Sequence, residues 1–274
     1  MTDKLFISAL RLLPKNAWSR VVGSIAHTRL PKVITAPSIR WFAKRYEVAV
    51  EDAELPLSEY RTVGHFFTRK LKPGARIIDR RPGFAVSPAD GHVLNSGKLI
   101  RRQLIQAKDR QFSVDALLKD AEKAKQFEGG SWVTVYLSPR DYHRVHHPVE
   151  GKLTEARSIP GYLWPVSKAA MDNVDQLFCV NERVVTYVQS PLGLVATIMV
   201  GAASVGHISL AYDERLHSNK GCNPGVRHFD DGRRIARGDE LGMFHLGSSA
   251  IVLFSNAETQ LEFLKDGQPI KLGQ

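Results

Sequence analysis

Apolar residues recur along this chain in two rhythms. Between Leu57 and Leu71, Tyr60, Val63, Phe67 and Leu71 return every three or four positions, which predicts a helix stopped by Pro73-Gly74. Ser113–Phe127 reads as a second helix, closed by Gly129-Gly130. Most of the remainder comes in short β-branched and aromatic runs. Strands are expected at Val86–Ala89, Gly91–Ile100, Leu104–Ala107, Trp132–Leu137, Gly151–Ile159, Gln176–Val180, Val184–Gln189, Leu194–Val200, Ser204–Leu210, Met243–Leu246 and Ala250–Phe254. Turn signals separate these runs at Ser190-Pro191-Leu192-Gly193, Asp230-Asp231-Gly232 and Arg237-Gly238-Asp239. Closely spaced strands with few helices between them argue for an antiparallel sandwich or barrel-like core rather than a parallel sheet. With helices expected before it, the fold class is α+β.

The N-terminal stretch follows neither rhythm for long. It carries Leu5, Phe6, Leu10, Leu12, Leu13, Trp18, Val21, Val22, Ile25, Ile39, Trp41 and Phe42, divided into short pieces by Pro14, Pro31 and Pro37. Charges recur too often for a span of about 20 apolar residues, so no membrane crossing is expected here. The chain carries a formal charge of +10. Residues 1–45 hold nine Lys and Arg against the single acid Asp3, so the basicity is local. Short helices with Trp, Phe and Leu beside Lys and Arg suit an anionic bilayer interface. Packing on the protein's own core, a transit peptide or a nucleic-acid arm also accommodates this composition. The chain divides on this basis into a basic amphipathic helical membrane-attachment segment, residues 1–50, and a catalytic core, residues 51–274.

At 274 residues and 43% hydrophobic, the chain can bury a substantial core. Cys179 and Cys222 are too few for a disulfide framework and lack metal-site spacing. Four segments carry candidate chemistry. Asp90-Gly91 is a turn signal that also places a carboxylate at a strand end. In Leu137–Pro148, Ser138 and Pro139 read as a cap and first helical position with Asp141 three residues on, so His143 should sit in a turn and His146 at its exit. His-x-x-His could chelate a metal, but no clear third ligand lies nearby, and no metal is expected. The small residues Gly201-Ala202-Ala203 suit close packing, and His207 reads as a sheet histidine. Leu246-Gly247-Ser248-Ser249 interrupts strand-like sequence; a Gly-Ser pair is most simply a turn, yet a serine hydroxyl can also attack the preceding carbonyl. Asp, His and Ser in separate loops are the groups a base-activated serine needs.

Three of these segments, Ser87-Pro88-Ala89-Asp90-Gly91, Asp141-Tyr142-His143-Arg144-Val145-His146 and Leu246-Gly247-Ser248-Ser249, closely resemble in order, identity and separation the phosphatidylserine decarboxylase proenzymes of the shorter bacterial type. Phe66–Leu71 and Val200-Gly201-Ala202 spread the resemblance over most of residues 57–255. The resemblance implies that Asp90, His146 and Ser248 form the charge relay of an internal endoprotease that cuts between Gly247 and Ser248. The products would be a long β chain and a short α chain beginning with a pyruvoyl group made from Ser248, which is then the Schiff-base site for the substrate. The residue after that serine is often threonine in the family; Ser249 keeps the hydroxyl. His143 would donate the proton in decarboxylation of phosphatidylserine to phosphatidylethanolamine. The implied partners are the lipid substrate, an anionic membrane surface, the protein's own cleaved chains and a second copy as a homodimer, with no nucleic acid. The implied location is peripheral, on the cytoplasmic face of a bacterial inner membrane. Two other readings stand beside it. A serine hydrolase acting on lipid would use the same three residues, although no Gly-x-Ser-x-Gly elbow is present. A non-enzymatic anionic-lipid-binding module would keep the Gly-Ser pair as a turn.

Overall fold

A computed structural model describes residues 7–8, 10, 14–107, 110–203, 207–218, 225–230, 232–245, 247–261 and 264–274. The expected apolar positions Leu5, Phe6, Leu12 and Leu13, the start of the Ser204–Leu210 strand, Cys222, Leu246 and the Ser248 side chain lie outside the described residues. The strands are β1 (Gly91–Lys98), β2 (Gln103–Ala107), β3 (Arg110–Ser113), β4 (Ser131–Leu137), β5 (Arg144–His146), β6 (Gly151–Ile159), β7 (Arg183–Ser190), β8 (Gly193–Val200), β9 (Ile208–Leu210), β10 (Gly225–His228), β11 (Arg234–Ile235), β12 (Glu240–Phe244), β13 (Ser248–Phe254) and β14 (Pro269–Ile270).

One antiparallel sheet runs β10-β6-β7-β8-β13-β4-β1-β14, with β11 also paired to β6. Among the described residues its ends do not pair, so the barrel stays open and the architecture is a mixed α+β sandwich. The continuous apolar runs of β7 and β8 are explained by burial on both faces. Leu194, Ala196, Ile198 and Val200 pack with Leu104, Phe112, Leu117 and Phe178 on one side. Val195 and Met199 face Val145, Ile208, Leu241 and Phe244 on the other. These last four belong to a three-stranded sheet, β5-β12-β9, laid over the main one. β13 pairs with β8 and β4 on its two sides, with Ser248 opposite Leu137.

Several expected elements take other forms. The helix expected over 57–71 shrinks to a 3-10 turn at Leu57–Glu59 and helix α3 at Val63–Phe67, started by Thr62, whose hydroxyl accepts from His65 N. The expected Ser113–Phe127 helix splits into Val114–Leu118 and Ala121–Lys125. Lys119 adopts left-handed φ, and Asp120 caps the second piece by accepting from Lys123 N. Val86–Ala89 forms no strand: Val86 N and Ser87 N donate to Pro148 O and Gln274 O, and Pro88 has no N–H to give. Gln176–Val180, expected as a strand, instead makes the helical turn Leu177–Val180. Leu177, Phe178 and Cys179 are buried in succession there, and such short apolar runs do not distinguish strand from helix.

Before the core lie helices α1 (Lys15–His27) and α2 (Lys32–Tyr46). Pro14 and Pro31 precede them as the sequence predicts, but Pro37 lies inside α2 without ending it. α2 seats Ile39 and Ala43 against Val48, Tyr60 and Phe66. α1 turns the small residues Ser19 and Gly23 inward and leaves Trp18, Val21 and Ile25 exposed. Val33, Ile34 and Trp41 of α2 are exposed as well. No described helix is long and apolar enough to cross a membrane.

Candidate active site

The turn after β4 builds the site. Ser138 N and Oγ both donate to Asp141 Oδ2, at 2.7 and 2.6 Å, and Asp141 N returns a bond to Ser138 O. The capping pattern read from the sequence is therefore present, but it closes a tight turn rather than opening a helix. Its consequence is local: the Asp141 carbonyl is aimed at His143 Nδ1, 2.9 Å away. A carbonyl can only accept, so Nδ1 carries the proton and Nε2 keeps its lone pair.

His143 is fully buried, with its ring 4.0 Å from that of Phe67. Burial, reinforced by the charge of Arg69, pushes its pKa down to about 3. Nε2 has no hydrogen-bond partner among the described residues. It lies against Gly247: a Cβ placed there would stand 3.6 Å from His143 Nε2 and from Leu137 O. The strand pairing holds this arrangement, because Phe244 N donates to His143 O at 2.9 Å, three residues before Gly247. A buried, neutral, unpartnered imidazole nitrogen thus lies beside the glycine of the Gly-Ser pair singled out in the sequence.

His146 sits in β5, its backbone N–H bonded to Pro88 O. Nδ1 donates to Gly238 O at 2.7 Å, leaving Nε2 to accept from the Tyr142 hydroxyl at 3.2 Å. Burial lowers its pKa, while the bond to Gly238 and the charges of Glu240 and Asp90 act the other way. Asp90 is close enough to be felt but makes no hydrogen bond to His146. Its carboxylate accepts from Arg76 Nε at 2.9 Å, Arg76 Nη2 at 2.5 Å and Leu272 N at 2.9 Å. Arg76 also binds Asp52, 2.9 Å away. The start of β1 is forced close to β4: a Cβ on Gly91 would meet Tyr136 O at 2.3 Å. The structure therefore gathers Asp90, His143, His146 and Gly247 at one end of the central strands, with His143 Nε2 beside Gly247 and Asp90 turned to an arginine.

Three neighbours had no assigned role in the sequence reading. Phe67 and Arg69 belong to the phrase Phe66–Leu71, which carried a resemblance without a function. Arg76 is fourteen residues from Asp90, and no periodicity links the two. His207 is stacked on His245 at 3.7 Å, and His245 Nε2 bonds Ser209 Oγ at 3.0 Å. Among the described residues no group of three or more His, Cys, Asp or Glu is placed to hold a metal ion.

Comparison with known proteins gives the same residues a context. The family model for phosphatidylserine decarboxylase matches residues 63–274, and a second, described as PSD, matches residues 5–47. Proteins named phosphatidylserine decarboxylase proenzyme from Myxococcus xanthus and an Anaeromyxobacter species are 42% and 41% identical, each over 100% of this chain and 98% of their own length. One from Ectopseudomonas mendocina is 40% identical with the same coverage. Each far exceeds what a shared fold alone would require, and this chain belongs to the phosphatidylserine decarboxylase family.

Proposed function

We propose that this chain is a proenzyme that splits its own Gly247–Ser248 bond and then decarboxylates phosphatidylserine to phosphatidylethanolamine at a membrane surface. The observation that carries this reading is the orphaned Nε2 of buried His143 against Gly247.

In the first reaction the Ser248 oxygen attacks the Gly247 carbonyl carbon, and the amide becomes an ester. Loss of the Ser248 Cα proton to a base, with breakage of the Cβ–O bond, releases Gly247 as a carboxylate and leaves a dehydroalanine at residue 248, whose enamine tautomerises to an imine. Water then enters and ammonia leaves, so a 27-residue chain begins with a pyruvoyl group. Bound there, that group supplies an electrophilic ketone and an electron sink for the carboxylate's departure. Its surroundings fit: Gly247 leaves room, and the buried imidazole beside it presents a free Nε2 lone pair that can take up a proton and give it back.

The family pattern assigns removal of the Ser248 proton to His146, with Asp90 stabilising the imidazolium, and assigns proton delivery in the second reaction to His143. In the uncleaved chain Asp90 is held by Arg76, so this relay requires His146 and Asp90 to act through space or to exchange partners. A second reading has a specific observation behind it: His143 Nε2 is the imidazole nitrogen described against Gly247, and would take the first proton itself. The outward apolar faces of α1 and α2 support attachment to an anionic bilayer through the basic segment, residues 1–50, and we place the enzyme peripherally on the cytoplasmic face of the inner membrane, as a homodimer of cleaved protomers.

Intact mass after a denaturing gel tests the core of this proposal. Wild type should yield chains of 247 and 27 residues, the shorter without a free amine, and Ser248→Ala should stay at 274 residues. A wild-type chain that remains whole would defeat the proposal. His143→Ala that splits normally but decarboxylates at least 100-fold more slowly supports the family assignment. His143→Ala that stays whole while His146→Ala splits supports the second reading.

A further inference from the structure

We propose that Arg69 is a positioning residue for His143, fixing its ring tautomer through the carbonyl the two side chains share. The inference rests on the reading above only in taking His143 to move a proton at the Gly247–Ser248 site. Arg69 follows helix α3, and its Nη2 donates to Arg140 O at 3.0 Å and to Asp141 O at 3.1 Å. The second of these is the carbonyl that accepts from His143 Nδ1. One guanidinium nitrogen thus holds the turn whose carbonyl decides which imidazole nitrogen is protonated. The clamp is reciprocal, since Arg144 Nε, on the residue after His143, donates back to Thr68 O at 3.0 Å.

The cost of Arg69 argues that this clamp is its purpose. The side chain is 3% exposed, makes no salt bridge among the described residues, and leaves Nε and Nη1 without hydrogen-bond partners. A buried guanidinium so poorly compensated is expensive, and an apolar side chain over Phe66 would pack at lower cost. What only the guanidinium supplies is two-carbonyl donation and a positive field beside His143. That field, added to burial, keeps the imidazole neutral. If Nε2 accepts a proton, the resulting imidazolium lies next to a fixed cation and gives the proton up readily. The arrangement suits a group that takes and returns one proton per step rather than storing it.

Nitrogen-15 NMR of histidine in the uncleaved Ser248→Ala protein reads this directly, with no dependence on turnover. With Arg69 present, His143 should show a single Nδ1–H tautomer and no titration above pH ~4. Arg69→Gln should mix the tautomers and move the titration upward by about one unit or more. Arg69→Lys, which keeps the cation but not the planar fork, should leave the titration low and still mix the tautomers; it also serves if Arg69→Gln fails to fold. A folded Arg69→Gln or Arg69→Lys protein with one unchanged Nδ1–H tautomer would overturn the inference. Normal splitting and decarboxylation in His143→Ala would instead overturn the role given to His143, leaving the tautomer result standing.

Discussion

Helix α1 and the sheet core use the same large apolar residue types in opposite directions. In β8 and β13, Ile198, Met199, Ile251 and Val252 are almost wholly buried between layers. In α1 the residues turned inward are Ser19 and Gly23, while Trp18 is 60% and Ile25 66% exposed. Small residues inside and large ones outside invert the usual surface helix. The core hides apolar surface from water, whereas α1 leaves it exposed, which is what the proposed membrane attachment would use. Basic residues such as Arg20, Arg40 and Lys44 lie among these exposed groups, as an anionic interface would favour.

The contrast is broken most severely from inside the core. Arg183 is fully buried and donates to the carbonyls of Ala116, Leu117, Cys179 and Asn181. Arg183→Ala strands four acceptors and opens a void, so urea unfolding in solution should show a loss of about 4 kcal/mol. A change below about 1 kcal/mol would mean that the core is far looser than its packing.

Acid probes the same difference more gently. His143 and His147 are buried in the core, with pKa pushed by burial down to about 3 and about 4 from an ordinary 6.5. Unfolding frees them to bind protons that the folded protein refuses, so stability is full above about pH 7 and falls as pH drops from 6.5 toward 4. The two together should remove about 3 kcal/mol at pH 5.5. A flat urea midpoint between pH 7.5 and 5.5 would show that these rings are wetter than the packing implies.

On the helical side the effects should fall on binding rather than folding. Replacing Trp18 and Trp41 together with alanine should leave solution stability within about 0.5 kcal/mol. Partitioning onto anionic vesicles should weaken by about 30-fold, or about 2 kcal/mol. Unchanged partitioning with lost stability would reverse the comparison and make these helices ordinary packing elements.

What the sequence made legible follows the range of the interactions involved. β1, β4 and β6 to β8 were readable because long apolar runs bounded by turn residues leave few alternatives. The capping pair Ser138 and Asp141 was readable because the two lie three residues apart, although the helical turn expected after it is a tight turn instead. Leu177–Val180 was not, since four apolar residues suit a strand or one helical turn equally. Within the site, Asp141 and His143 were both singled out, but the bond from His143 Nδ1 to the Asp141 carbonyl was not. The Asp90–Arg76 pairing and the Arg69 clamp join segments 14 and 72 residues apart, and no local pattern encodes them. The placing of His143 beside Gly247 depends on the β13 to β4 register, which sets Ser248 opposite Leu137 and which pairing across the sheet creates.

That register has a consequence for the finished protein. A cut between Gly247 and Ser248 falls at the entrance to β13, which pairs with β4 from Ser248 and with β8 from Ser249 through Phe254. The short fragment would stay woven into the middle of the sheet, so scission need not loosen the molecule. It would nevertheless change the route home. Before the cut, an unfolded chain searches for its fold alone; after it, two strangers must meet in dilute solution, and recovery depends on concentration. The fold of the precursor would then serve as a single-use template for an assembly that its own fragments find hard to rebuild.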